Sequence, residues 1–130
     1  MNQLYESMVT GFELITQPLT EYETETLLPV FLTCLSKHNG KEEAITSVQI
    51  VKGMRKHGYK CRDVNVRKVI NHIRVYGLIP NLLATSAGYY VSNDKDEIRL
   101  YIESLKQRES AIRAVRLSIE AQAGYSSLIF

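Results

Sequence analysis

The chain predicts a mainly α-helical protein carrying one small β-hairpin, an α+β class, on three observations. Apolar residues recur at helical spacing in four separate segments, capping residues and glycines mark the ends of those segments, and one short β-prone stretch lies between the third and the fourth. With 130 residues and 45% hydrophobic content, the chain can bury one real core with an appended element. The expected organisation is an N-terminal arm over 1–18, a compact domain over 19–92, a long helix over 93–123 and a tail over 124–130.

Residues 1–18 receive no assignment. A short helix over 4–9, a strand at GFELIT and a loose arm all fit their weak apolar pattern. Thr20 can cap a first helix whose opening turn holds Glu21 and Glu23, favourable against the helix dipole, and Leu27, Leu28, Phe31, Leu32 and Leu35 follow at helical spacing up to a stop at HNG. Pro29 falls inside that run, so a kink or a late start is expected, because proline lacks a backbone donor and crowds the preceding turn. Ile45-Thr46 reads as a short extended piece. Ser47 is expected to cap a second helix with Ile50, Val51 and Met54 inward and Lys52, Arg55 and Lys56 outward, stopping at Gly58.

Asp63 is expected to cap a third helix that ends at Gly77, with Val66, Val69, Ile70 and Ile73 forming its apolar stripe. LIPNLLAT and YYVS, separated by SAG, predict a hairpin of 78–85 with 88–91, and Pro80 points to an edge strand. Asn93 or Asp94 then caps a long helix to about Ala121 with Ile98, Tyr101, Ile102, Leu105, Ile112, Val115 and Ile119 on one side. Ile98, Leu105, Ile112 and Ile119 repeat every seven residues, while Arg108 and Glu109 interrupt the pattern, so a coiled-coil dimer arm and a helix laid across the domain are both open. The apolar tail (Tyr125, Leu128, Ile129, Phe130) either docks or frays.

Net charge is only +2, but it is unevenly spread: residues 1–43 sum to −5, residues 44–92 to +7 with Asp63 as the one acid, and residues 93–130 to zero. A one-sign segment of this length favours an anionic partner. No apolar run approaches a membrane span, and the start MNQLYESMVT lacks the basic-then-apolar order of a signal peptide, so a cytoplasmic protein with no membrane partner is expected. Cys34 and Cys61 are too few for a disulfide framework and read as free thiols. Cys34-x3-His38 with His57-x3-Cys61 would supply four zinc ligands, yet the spacings fit no common finger, so no metal is expected. No Gly-rich phosphate loop, paired carboxylates or strand-turn-helix serine is present, and Ser86-Ala87-Gly88 is a hairpin turn, so neither enzyme activity nor a cofactor is expected.

Helix, short strand, helix, turn, helix, hairpin is the order of a winged helix-turn-helix, whose third helix enters the DNA major groove. The stretch VRKVINHIRVYGLIPNLLATSAGYYVSND resembles the recognition-helix-and-wing segment of winged helix-turn-helix regulators of the biotin-repressor type, through Ile73-Arg74, Gly77, Leu78-Ile79, Thr85-Ser86 and Gly88-Tyr89. LTEYETETLLP, the basic third helix, SAGYYVS and EIRLYIESLKQR bring the chain closer to small winged-helix proteins of phages and mobile elements, over roughly residues 19–115. Two departures stand out: GYKCRD replaces the shorter Gly-Val-Ser turn of the biotin-repressor type, and no ligand-binding domain follows the wing, so no small-molecule effector is inferred.

The resemblance implies double-stranded DNA binding, in transcription regulation or as an accessory of replication initiation, and the heptad pattern of residues 98–119 adds the expectation of a homodimer joined through the long helix. Arg62, Asn65, Arg67, Lys68 and Asn71 form the expected recognition set, since Arg and Lys can bond guanine or phosphate and Asn can pair with adenine. Arg74 is expected either on phosphate or against the helix C-terminal dipole. Lys52, Arg55, Lys56 and Lys60 are expected on the flanking backbone, and Thr85 and Ser86 at the wing tip. RNA is disfavoured because no aromatic platform interleaves with the basic residues. The rival reading is a winged-helix protein-protein adaptor that binds no DNA. The acidic N-terminal third is expected to face away from DNA and repel it.

Overall fold

The computed structural model describes residues 15–124; the expectations for 1–14 and for the tail from Tyr125 lie outside the described residues. It divides into two units, Met1–Asn93 and Asp94–Phe130.

After Pro18, Thr20 and Glu23 close a reciprocal cap. The Thr20 N–H donates to Glu23 Oε1 at 2.8 Å, and the Glu23 N–H donates to Thr20 Oγ1 at 3.2 Å. The chain then widens into a π-turn, Glu23–Leu27, before α1 (Leu28–Leu35). Pro29 accounts for the widening. It has no N–H to return to the preceding turn and its ring crowds that turn's carbonyl, so the Leu28 N–H reaches back to the Glu23 carbonyl and the regular ladder resumes only after the proline.

After a 3-10 turn at Lys41–Glu43, α2 runs Ser47–Lys56 and α3 runs Asp63–Tyr76. The caps differ from expectation by one residue. Thr46, not Ser47, caps α2: its hydroxyl accepts from the Gln49 N–H at 3.2 Å while the Thr46 N–H donates to Gln49 Oε1 at 2.9 Å. Asp63, expected as the α3 cap, is the first helical residue, with Arg62 in the cap position and its N–H donating to Asn65 Oδ1 at 2.9 Å. The Asp63 carboxylate is engaged instead by the Ser47 hydroxyl and by Arg67 Nε at 3.0 Å, which ties the starts of α2 and α3 together. Gly77, at φ 64°, supplies the left-handed residue that ends α3.

The hairpin is shorter than expected, β1 (Leu82–Thr85) with β2 (Gly88–Val91), antiparallel, with Leu82 opposite Val91 and Thr85 opposite Gly88. Residues 78–81 form a turn instead of strand: Pro80 cannot donate to a ladder and Asn81 sits at φ 62°. The extended piece at Ile45 is present as an antiparallel bridge to Tyr89, with hydrogen bonds of 3.0 and 2.8 Å in the two directions. Leu27, Phe31, Leu35, Ile50, Met54, Val66, Val69, Ile70, Ile73 and Leu82 share the core, so the π-turn, α1, α2, α3 and the hairpin close on one apolar centre.

Among the described residues the second unit holds one helix, α4 (Lys95–Gln122), capped by Asp94, whose Oδ1 accepts from the Asp96 and Glu97 N–H groups at 2.9 and 3.2 Å. None of its residues is buried. No helix among the described residues is long and apolar enough to cross a membrane.

Candidate nucleic-acid interface

The basic residues of the middle third fall on α2, the turn after it and the outer side of α3. Lys52, Arg55, Lys56, Lys60, Arg62 and Arg67 are all exposed there. The apolar stripes explain the placement: Ile50 and Met54 turn α2 inward, and Val66, Val69, Ile70 and Ile73 turn α3 inward, which leaves the polar positions outside.

The longer turn between the two helices is packed rather than loose. Gly58 takes φ 88°, the Tyr59 N–H donates to the Met54 carbonyl at 3.0 Å, and Cys61 is buried in the core. Arg55 Nε donates to the Cys61 carbonyl at 3.1 Å, and the Tyr22 hydroxyl donates to the Lys60 carbonyl at 2.7 Å. Part of the Arg55 guanidinium therefore holds the turn, while the residue as a whole stays exposed. Burial pushes the Cys61 thiol up, with Glu23 adding to the shift and Arg55 opposing it.

Two members of the expected recognition set are withdrawn from the surface. Lys68 Nζ lies 2.8 Å from Glu23 Oε1, with side-chain exposures of 12% and 2%, and Asn65 Nδ2 donates to Glu23 Oε2 at 3.0 Å. With the Thr20 N–H, the buried Glu23 carboxylate has three donors. Burial alone would raise its pKa, but hydrogen bonds from Lys68, the Thr20 N–H and Asn65, together with the Lys68 charge, outweigh that and hold it below the ordinary carboxylate value. Glu23, expected to face away from any DNA, instead neutralises a cation of α3. A Thr-x-x-Glu capping signature marked the local bond, but nothing local marked a partner 45 positions on.

Arg67 remains exposed, paired with Asp63, and Arg62 is exposed beside it. Asn71 is half-buried and borders a cleft with Ile15, Pro18, Leu19 and Tyr76, so the segment before Thr20 flanks the later turns of α3. Arg74 is half-buried near the helix end. At the hairpin tip, Thr85 Oγ1 donates to the Gly88 carbonyl at 3.1 Å and accepts from the Ala87 N–H at 3.2 Å, which closes the turn; Ser86 is exposed. No Lys or Arg occurs from Val75 through Asp94, so the hairpin presents no cation.

The four residues of the zinc alternative are not gathered at one point. Cys61 is in the core, Cys34 is exposed, His38 Nδ1 donates to the Glu43 carbonyl at 2.7 Å and His57 Nδ1 to the Gly53 carbonyl at 2.9 Å. Among the described residues no group of three or more His, Cys, Asp or Glu could hold a metal ion. No family model matches the chain, and neither a curated protein nor a solved structure matches it.

Proposed function

We propose that the protein is a winged helix-turn-helix that binds double-stranded DNA through α2 and the first turns of α3, as a homodimer joined by α4, in transcription regulation or replication initiation. The observation that carries this reading is the exposed cluster Lys52, Arg55, Lys56, Lys60, Arg62 and Arg67, with Asp63 the one acid among them. Phosphates would be met by Lys52, Lys56 and Lys60 and the remaining donors of Arg55. Base edges would be met by Arg62 and Arg67, at the end of α3 that enters the groove in this architecture. Lys68 and Asn65 leave the recognition set and become residues that position α3.

The adaptor reading draws support from the same withdrawal and from a hairpin without cations. A titration separates the two. Anisotropy of a labelled random-sequence duplex, measured at several salt concentrations, is expected to show binding that weakens steeply with salt. An Arg62→Ala/Arg67→Ala variant is expected to lose about two units from the log-log slope. A protein that binds no duplex at low salt, or a variant with an unchanged slope, would leave the adaptor reading in place.

A further inference from the structure

The register of α4 specifies more than a dimer arm. Taking Ile98, Leu105, Ile112 and Ile119 as one seam position, the companion position three residues on holds Tyr101, Arg108, Val115 and Gln122. Leu105, Ile112, Val115 and Ile119 are 41, 69, 63 and 57% exposed, whereas Ile98 and Tyr101 are half-buried, so the uncovered part of the seam lies in the later turns.

We propose that this seam pairs with α4 of a second copy in antiparallel orientation, in the register that sets Glu109 against the partner's Arg116. The proposal rests on the reading of α4 as a dimer arm and adds its direction and alignment. A parallel pair would bring Arg108 against the partner's Arg108 inside the seam. Its flanking positions would match Ser104 with the partner's Glu109 and Ala111 with the partner's Arg116, so no opposite charges meet.

Antiparallel pairing removes the arginine–arginine layer, and the flanking charges then choose among registers. Centring the pair on Ser110 opposes Glu109 to the partner's Glu109, and sliding it one heptad further, past the best register, opposes Arg116 to the partner's Arg116. The intermediate register forms Glu109–Arg116 twice by symmetry, stacks Ile112 on the partner's Val115 in both central layers, and places Arg108 over the partner's Ile119. Glu109 and Arg116 are exposed, and Arg116 also holds Glu120 of its own helix at 2.6 Å; the guanidinium fork has donors for both carboxylates.

The overlap in this register runs from Leu105 to Gln122, where the exposed apolar residues of the seam are. The two Lys95 residues then stand about 37 residues of helix apart, about 55 Å at a rise of 1.5 Å per residue.

The test uses the full chain with Cys34→Ser and Lys95→Cys, spin-labelled at residue 95; Cys61 is buried and takes no label. Electron–electron distance measurement on the dimer should give about 55 Å. A distance under about 20 Å, roughly two helix diameters, would mean parallel pairing and overturn the orientation while leaving the dimer. A chain that sediments as a monomer at the highest soluble concentration would overturn the pairing altogether. Neither result bears on DNA binding, which the salt titration reads separately.

Charge exchange gives a second readout. Glu109→Arg should weaken the dimer about fivefold to tenfold, since two like-charge contacts replace two pairs, and adding Arg116→Glu should restore it. A double variant as weak as the single one would overturn the register.

Discussion

Lys68 is the residue at which the sequence expectation and the structure make opposite predictions. As a phosphate contact it would be dispensable for folding and would cost about one unit of salt slope when removed. As the partner of Glu23 it is a folding residue. Replacing it by methionine keeps the stem and deletes the ammonium, leaving the Glu23 carboxylate 2% exposed with only the Thr20 N–H and Asn65 amide. Breaking a buried pair by removing one partner costs about 3–5 kcal/mol, and the residual 12% exposure of Lys68 puts this case near 3. On a domain of fewer than 100 residues that is a fall in Tm of about 12–24 °C.

Glu23→Gln should cost about as much, and the double variant less than the two together, with a coupling of about 2 kcal/mol. The pH dependence has a definite sign. The folded pKa of Glu23 lies below its ordinary value of 4.5, so the stabilisation is complete above that pH and is lost as the pH falls through the lowered value. The gap between wild type and Glu23→Gln should accordingly close on acidification below 4.5. Urea unfolding at pH 7 and at pH 3 measures both quantities. A Lys68→Met protein within about 0.5 kcal/mol of wild type that had lost one unit of salt slope would refute the structural role and return Lys68 to the interface.

Gly88→Ala would set a Cβ 2.6 Å from the Ile45 carbonyl oxygen at φ +121°, breaking the Ile45–Tyr89 bridge; a loss of about 2–3 kcal/mol in thermal unfolding is expected. Thr46→Ala should cost about 1 kcal/mol by opening the capping box of α2, whereas Ser47→Ala, which removes only an exposed bond to Asp63, should stay within about 0.5 in the same assay. Lys52→Ala/Lys56→Ala should leave stability unchanged and lower duplex affinity equally for all sequences, measured by anisotropy against several unrelated duplexes.

The order of elements was legible because it depends on short-range patterns. The apolar stripe at Val66, Val69, Ile70 and Ile73 and the glycines at 58 and 77 place α2 and α3 to within a residue or two of their observed ends. The errors in the helix caps are of one residue and have local causes. Thr46 and Ser47 are both good caps, and only Gln49, three residues after Thr46, distinguishes them. Asp63 was misplaced because a carboxylate at a helix start satisfies either a cap or the dipole, and here Ser47 and Arg67 claim it. The strand began four residues late because Pro80 and Asn81 spend their backbone on a turn. The Glu23–Asn65–Lys68 cluster was illegible for a different reason: helical phase puts Lys68 on the side opposite the apolar stripe, and only the path of the segment before α1 covers it.

That cover changes what the charge distribution means. Counted along the chain, the acidic first third and the basic middle third look like two faces turned apart. In the folded domain one acid of the first third crosses to the third helix and removes a cation from the surface, so the charge available to a polyanion is smaller than the segment's +7 and lies toward α2 and the start of α3. A field of this kind anchors phosphates along one edge instead of filling a groove with the whole helix. On the proposed reading, an isolated domain with so narrow a footprint would bind duplex weakly, and joining two copies would raise avidity without any new contact to DNA. If the proposed DNA binding holds, the uncovered seam of α4 and the reduced cationic surface of α3 meet in one requirement, that two copies act together.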